Sequence, residues 1–244
     1  MQIKVTKKVV GFGLLTGVII AASLVFYAFA RTWNKTDIEF RIHINEKLVK
    51  ESTFGEPPTF AIWLEDPGNG STQTIFVTGR AGRGDWEGKS SVPVALPEWF
   101  QVNEKERQNK NKLDNIMSDQ LIVSGATPKP GYFATRVRVA PGSKWICWIE
   151  VNLAGDYNDK FPEYDEVKKI SDEYKSGQPA LIYRAEIEAS YGKTVVPEIN
   201  GMCLIDPQNG VVIVPPEGIT TAKDIFDEIS IRVTKPKPRI IEWR

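Results

Sequence analysis

Segment after segment of this chain alternates apolar and polar residues with a period of two, and few folds satisfy that pattern. Ile38-Glu39-Phe40-Arg41-Ile42-His43-Ile44 puts every second side chain on one face, as a half-buried strand does. Phe60, Ile62 and Leu64 form one face of a second strand, and TQTIFVTG comes after the turn Asp66-Pro67-Gly68-Asn69-Gly70. YFATRVRVA repeats the signal with Phe133, Thr135, Val137 and Val139 on one face. KWICWIEVN is next, and in ALIYRAEIEA the residues Leu181, Tyr183, Ala185 and Ile187 oppose Ile182, Arg184, Glu186 and Glu188. GVVIVP and EISIRVTK complete the set. About eight strands separated by Gly/Pro turns predict a mainly β protein, an antiparallel β-sandwich of immunoglobulin or fibronectin type.

Two stretches break the alternation. PEWFQVNEKERQNKNKLDNIMSDQ (97–120) is polar and helix-compatible, with Trp99 and Phe100 at its start. EYDEVKKISDEYKSG (163–177) spaces Tyr164, Val167, Ile170 and Tyr174 as one helix face does, and Gly177 is a stop. Both are expected as short helical insertions between strands.

Ahead of the strands, Val9 to Ala30 is a run without a charge. As a helix it would span about 33 Å, close to a bilayer core of about 30 Å. A cleaved secretory signal has an apolar stretch of only about 7–15 residues, which favours a retained transmembrane anchor. Ala28-Phe29-Ala30 keeps cleavage open as the alternative, since signal peptidase cuts after such small residues. Lys4, Lys7 and Lys8 before the run, against Arg31 and Lys35 after it, place the N-terminus in the cytoplasm. The expected organisation is a cytoplasmic stretch 1–8, an anchor 9–30, a linker 31–35, an extracytoplasmic sandwich 36–235 and an extended tail 236–244.

Lysine plus arginine and aspartate plus glutamate both total 31 among 244 residues, so no basic excess points to nucleic acid. The single histidine, His43, lies on the polar face of the first strand, and no GxSxG elbow accompanies it. A hydrolytic triad would have to use that residue, so an exposed strand histidine is the preferred reading and an enzyme the remote one. Cys147 and Cys203 sit in apolar strand-like segments, where a disulfide and two buried thiols are equally compatible with an exported domain.

Three loops hold candidate sites. Asp156, Asn158 and Asp159 offer the closely spaced oxygens that Ca²⁺ prefers, but the regular loop spacing is missing and an Asx-capped loop is preferred. GRAGRGDWEGK (79–89) joins glycines to Arg80 and Arg83, a combination able to cradle an anion or simply to close a long hairpin. Ser124-Gly125-Ala126-Thr127 is a run of small residues ending in a hydroxyl. It resembles the end of the motif that carries covalent FMN in subunits of sodium-pumping and Rnf-type complexes. That motif has an aspartate six residues before the threonine, where this chain has Leu121, with Asp119 two positions too early. Pro128 stiffens the chain immediately after the threonine, so a turn feeding the next strand is preferred and an FMN carrier modified on Thr127 is the alternative.

FAIWLED (60–66), LPEWF (96–100), VSGATPKPGYF (123–133), WIEVNLAGDYND (148–159) and GQPALIYRAEIE (177–188) together resemble a family of periplasmic β-sandwich proteins known only as a domain of unknown function. Members of that family are often encoded near flavin-transferase and PepSY-type membrane genes. The resemblance implies an extracytoplasmic electron-transfer setting and an envelope protein partner. The function expected is a non-catalytic binding or assembly module. Trp145 and Trp148, on opposite faces of one strand, fit it if one of them is half-exposed as an aromatic anchor.

Overall fold

The computed structural model describes residues 7–83, 92–113, 124–125, 128–169, 177–206 and 208–238. The chain enters through helix α1 (Lys7–Ala30) and continues into β1 (Thr36–Ile44), α2 (Glu46–Glu51), β2 (Thr59–Glu65) and β3 (Thr72–Thr78). Three helices come next, α3 (Gly79–Arg83), α4 (Val92–Ala95) and α5 (Pro97–Leu113). The remaining strands are β4 (Ser124–Gly125), β5 (Gly131–Val139), β6 (Lys144–Asn152), β7 (Leu181–Glu188), β8 (Thr194–Val195), β9 (Glu198–Asp206), β10 (Gly210–Val214) and β11 (Phe226–Thr234).

The strands form two sheets. One has four strands in the order β5-β1-β11-β8, and the other has seven in the order β10-β9-β7-β6-β2-β3-β4. All pairings are antiparallel except that of the two-residue β4, which runs parallel to β3. The alternation read from the sequence decides what lies between the sheets. Ile38, Phe40, Ile42 and Ile44 of β1 are all at most 1% exposed, in one core with Phe60, Ile62, Leu64, Ile149, Val151 and Leu181. Aromatic rings tie the two layers together: Phe133 meets Phe60 at 5.3 Å and Phe76 at 4.6 Å, and Phe226 meets Phe60 at 5.6 Å. The class is therefore mainly β and sandwich-like. The strand orders differ from the ABED/CFG arrangement of an immunoglobulin domain, because here the first and last strands pair antiparallel in one sheet.

A second core lies on the other side of the seven-stranded sheet. Ala61, Trp63, Val77, Ile182 and Cys203 point away from the inter-sheet core and are covered by Ala81, Ala95, Leu96, Trp99 and Val102 of the helices. This three-layer arrangement explains why FAIWLE in β2 is nearly continuously apolar: both its faces are buried.

The helical expectations divide. The 97–120 insertion is helical over Pro97–Leu113 and is a covering layer, with Trp99, Val102, Asn103 and Glu106 buried; residues 114–120 lie outside the described residues. The 163–177 helix is corrected over its described part. Residues 166–169 form a turn, in which the Lys168 N–H donates to Asp165 and Lys169 has φ +56°. Val167 is 93% exposed, so no apolar face is buried there, and 170–176 lie outside the described residues. The sheet face that would have accepted such a helix is covered by α5.

The side chains of α1 are described from Thr16 on. Among the fully described residues no helix is long and apolar enough to cross a membrane. Those of α1 are nonetheless apolar all round, with Val18, Ile19, Ile20, Leu24, Val25, Phe26 and Phe29 exposed.

Candidate functional site

Strand register builds a row of side chains across the outer face of the seven-stranded sheet. Thr74 of β3 pairs with Trp63 of β2, Trp63 with Trp148 of β6, Trp148 with Arg184 of β7, and Arg184 with Glu198 of β9. Residues directly opposite on one face touch. The Trp63 and Trp148 rings are stacked at 6.3 Å and 17°, and the Arg184 guanidinium lies 5.6 Å from the Trp148 centroid. Trp63 is buried, whereas Trp148 is half-buried and keeps an open side. The Trp148 indole N–H donates to Glu65 Oε2 at 2.7 Å, which fixes the ring against the sheet.

Helix α5 roofs this row and leaves a cleft of about 390 Å³. Its floor is Trp63, Trp148, Ile182 and Ile213, and Glu98, Val102, Lys105 and Glu106 of α5 face it from above. Such a volume is within the range of small-ligand sites, roughly 300–1,000 Å³. The helix is held down at its start by Glu150 of β6, which is fully buried. Its carboxyl oxygens accept the backbone N–H of Glu98 at 3.1 Å and of Trp99 at 2.7 Å, two donors that a helix N-terminus leaves unpaired. Further along, the Trp99 indole donates to Thr74 Oγ1 at 3.2 Å, and that hydroxyl donates to Glu106 Oε1 at 3.3 Å.

Electrostatically the cleft is acidic, with three carboxylates (Glu65, Glu98 and Glu106) against the single ammonium of Lys105. Burial raises the Glu98 pKa from its ordinary value; Lys105 opposes this and Glu65 adds to it. Burial likewise pushes Glu150 up to about 8, outweighing its two backbone hydrogen bonds.

The loops singled out in the sequence are placed elsewhere. Asn158 is spent on structure: its Oδ1 accepts the N–H of Lys160 and Phe161, and its Nδ2 donates to the Gly218 carbonyl and to Thr220. Asp156 is buried and accepts from Thr221 Oγ1 at 2.6 Å, while Asp159 is exposed. Among the described residues no group of three His, Cys, Asp or Glu is arranged to hold a metal. The loop is Asx-capped.

Arg80 lies on the short helix α3 and not on an open hairpin loop, and its Nη1 is 3.3 Å from Glu56 Oε2, so its charge already faces a carboxylate. Arg83 ends α3, and its side chain lies outside the described residues. Ser124 and Gly125 are not a turn: they form β4, pairing with Val77 and Thr78 at the sheet edge. Ala126 and Thr127 lie outside the described residues.

His43 Nδ1 is hydrogen-bonded to Asp227 Oδ1, and its ring lies 4.4 Å from that of Tyr132. These residues occupy the outer face of the four-stranded sheet, on the opposite side of the sandwich from the cleft. Cys147 faces the inter-sheet core and Cys203 faces α5, so the sheet itself separates two free thiols.

Trp145 and Trp148 do point to opposite faces: Trp145 packs on the inter-sheet core and Trp148 on the cleft. Trp63, Glu65, Glu98 and Lys105 are functional candidates that the sequence alone does not single out. The signal for three of them lies in FAIWLED and LPEWF, but only the register brings Trp63 beside Trp148.

Comparison with family models, with curated proteins and with solved structures finds no match for the chain.

Proposed function

We propose that the chain is a non-catalytic binding module, held at the cytoplasmic membrane by α1 with its β domain on the extracytoplasmic side, and that it binds through the cleft under α5. The observation that carries this reading is the stacked Trp63–Trp148 pair, half open to a cleft that carboxylates rim. A rigid aromatic wall with a few fixed polar groups is what a recognition site needs. His43 is remote from that cleft, on the outer face of the four-stranded sheet.

The anchor is supported by the exposed apolar circumference of α1, since a helix apolar all round is stable only where something other than water covers it. Lys4, Lys7 and Lys8 ahead of it give the orientation. The resemblance of the five segments implies the setting, an envelope redox assembly with a protein partner.

Native electrophoresis of detergent-solubilised membranes tests the module. The wild-type chain is expected in a large assembly and Trp148→Ala as the free protein, with both equally folded. Identical migration of the two removes the cleft from the function. In-gel flavin fluorescence lost in Thr127→Val would replace the binding module with an FMN carrier.

A further inference from the structure

The charges of the cleft are unequally satisfied, and the imbalance identifies a ligand class. Glu65 is engaged by the Trp148 indole and Glu106 by the Thr74 hydroxyl. The Glu98 carboxylate has no hydrogen-bond or ion-pair partner among the described residues, although it is half-buried. Lys105 is on the same helix face, seven residues on, and makes no ion pair among the described residues; it is exposed at the rim. Around these charges the lining is apolar, with Val102, Ile182, Ile213 and the Trp148 ring. The site thus presents a partly desolvated carboxylate at one point and a hydrocarbon wall beside it. The border of the cleft already holds one cation, Arg184, against the same Trp148 ring.

We infer that the cleft takes an organic cation carried on an alkyl stem, the chemistry shared by a lysine side chain and an aliphatic polyamine. The ammonium pairs with Glu98 and the field of Glu65, and the methylenes lie on Trp148, Val102 and Ile213. An anionic ligand would have only Lys105 and the Arg184 guanidinium, itself paired with Glu186, to meet it, against three carboxylates in the cleft. A neutral ligand would strip more water from the half-buried Glu98 and bring it no counter-charge beyond Lys105, which costs binding free energy. This inference rests on the cleft being the binding site, and it adds the chemistry of what enters.

The test is a titration of the purified full chain in detergent, read by tryptophan fluorescence. Three probes are used: Nα-acetyl-lysine methylamide, spermidine, and Nα-acetyl-norleucine methylamide, an uncharged analogue that keeps lysine's four side-chain carbons. A saturable change is expected with the cationic probes and none with the norleucine compound. Stronger binding of the lysine amide assigns the cation to a polypeptide side chain, and stronger binding of spermidine assigns it to a polyamine.

Glu98→Gln should weaken the cationic probe at least tenfold. Lys105→Ala changes only an exposed rim residue, and it should tighten binding severalfold by removing the repelling charge. Equal binding of the norleucine compound, or weaker binding in Lys105→Ala, overturns the inference. If assembly on native gels needs Trp148 while no cation binds, the module stands and the ligand class falls. If cations bind while the assembly ignores Trp148, the partner-binding reading falls.

Discussion

Glu150 Oε2 accepts the backbone N–H of Trp99 at 2.7 Å, so a carboxyl group buried in the sheet fixes the first turn of the helix that roofs the cleft. Its pKa in the folded chain is about 8, against an ordinary 4.5, because burial penalises the charged form. The folded state therefore holds this proton over a range in which the unfolded state has lost it. The resulting stabilisation is complete below pH 4.5 and is lost as pH rises through about 8. Its upper bound is about 5 kcal/mol. Urea unfolding at a series of pH values should show falling stability across this window, and Glu150→Gln should flatten the slope. A slope that is unchanged in Glu150→Gln would refute the assignment.

Gly177 has φ +93°, and a Cβ there would sit 2.5 Å from the Asp156 carbonyl oxygen. That carbonyl also accepts the Gln178 N–H at 2.9 Å, so the backbone cannot retreat without breaking a hydrogen bond. Gly177→Ala should cost about 3 kcal/mol, the sum of backbone strain and overpacking. Gly55 provides the control: its φ is +62° with open space around it, and Gly55→Ala should cost about 1 kcal/mol. Thermal unfolding of both variants measures the difference.

Cys147 and Cys203 should both count as free thiols in denaturant and neither should react in the native protein. Burial pushes the Cys147 thiol to about 12, and burial with Glu150 nearby raises Cys203 well above its ordinary value. The thiolate is the reactive form, so both are inert until the fold opens. Iodoacetamide labelling followed by intact mass reads the count, and rapid native labelling of either residue would contradict the packing.

Gly131 starts β5 at φ +113°, with nothing near the position of a Cβ. Gly131→Val should therefore lose only backbone energy, about 1 kcal/mol or somewhat more. A slip in register there would turn Phe133 away from Phe60 and Phe76. Thr127→Val is expected to leave the melting temperature nearly unchanged. Calorimetry on the two variants, with flavin content measured alongside, checks stability and cofactor together.

The strands are legible because each inward face repeats every second residue, and β6 falls at the residues its alternation marks out. β9 is hidden from such a reading because Asn200-Gly201 interrupts it as a turn would. In the structure the ladder shifts register there, and a Cβ on Gly201 would lie 2.5 Å from the Val214 carbonyl oxygen. Glycine marks a close approach of two backbones, a use that periodicity does not distinguish from a turn. The roof of the cleft is obscured for a different reason. PEWFQVNEKERQ is polar enough to read as solvated, yet Trp99 and Val102 bury one side while Glu98 and Lys105 keep the other side of the cleft charged. Pairing Trp63 with Trp148 depends on register between distant strands, which no local pattern encodes.

The antiparallel pairing of β1 with β11, in register from Asp37 opposite Thr234, sets a timetable for synthesis. Strand β1 is made before the other described strands, and in its sheet it lies between β5 and β11, the last of them. Ile38 and Phe40 must therefore wait, with half their edge unpaired, until Ile231 and Val233 have been delivered. Contacts this far apart in sequence close slowly, and exposed strand edges invite wrong partners meanwhile. A nascent chain thus exposes one edge of β1 until β11 has been made, and loss of β11 would leave that edge permanently open.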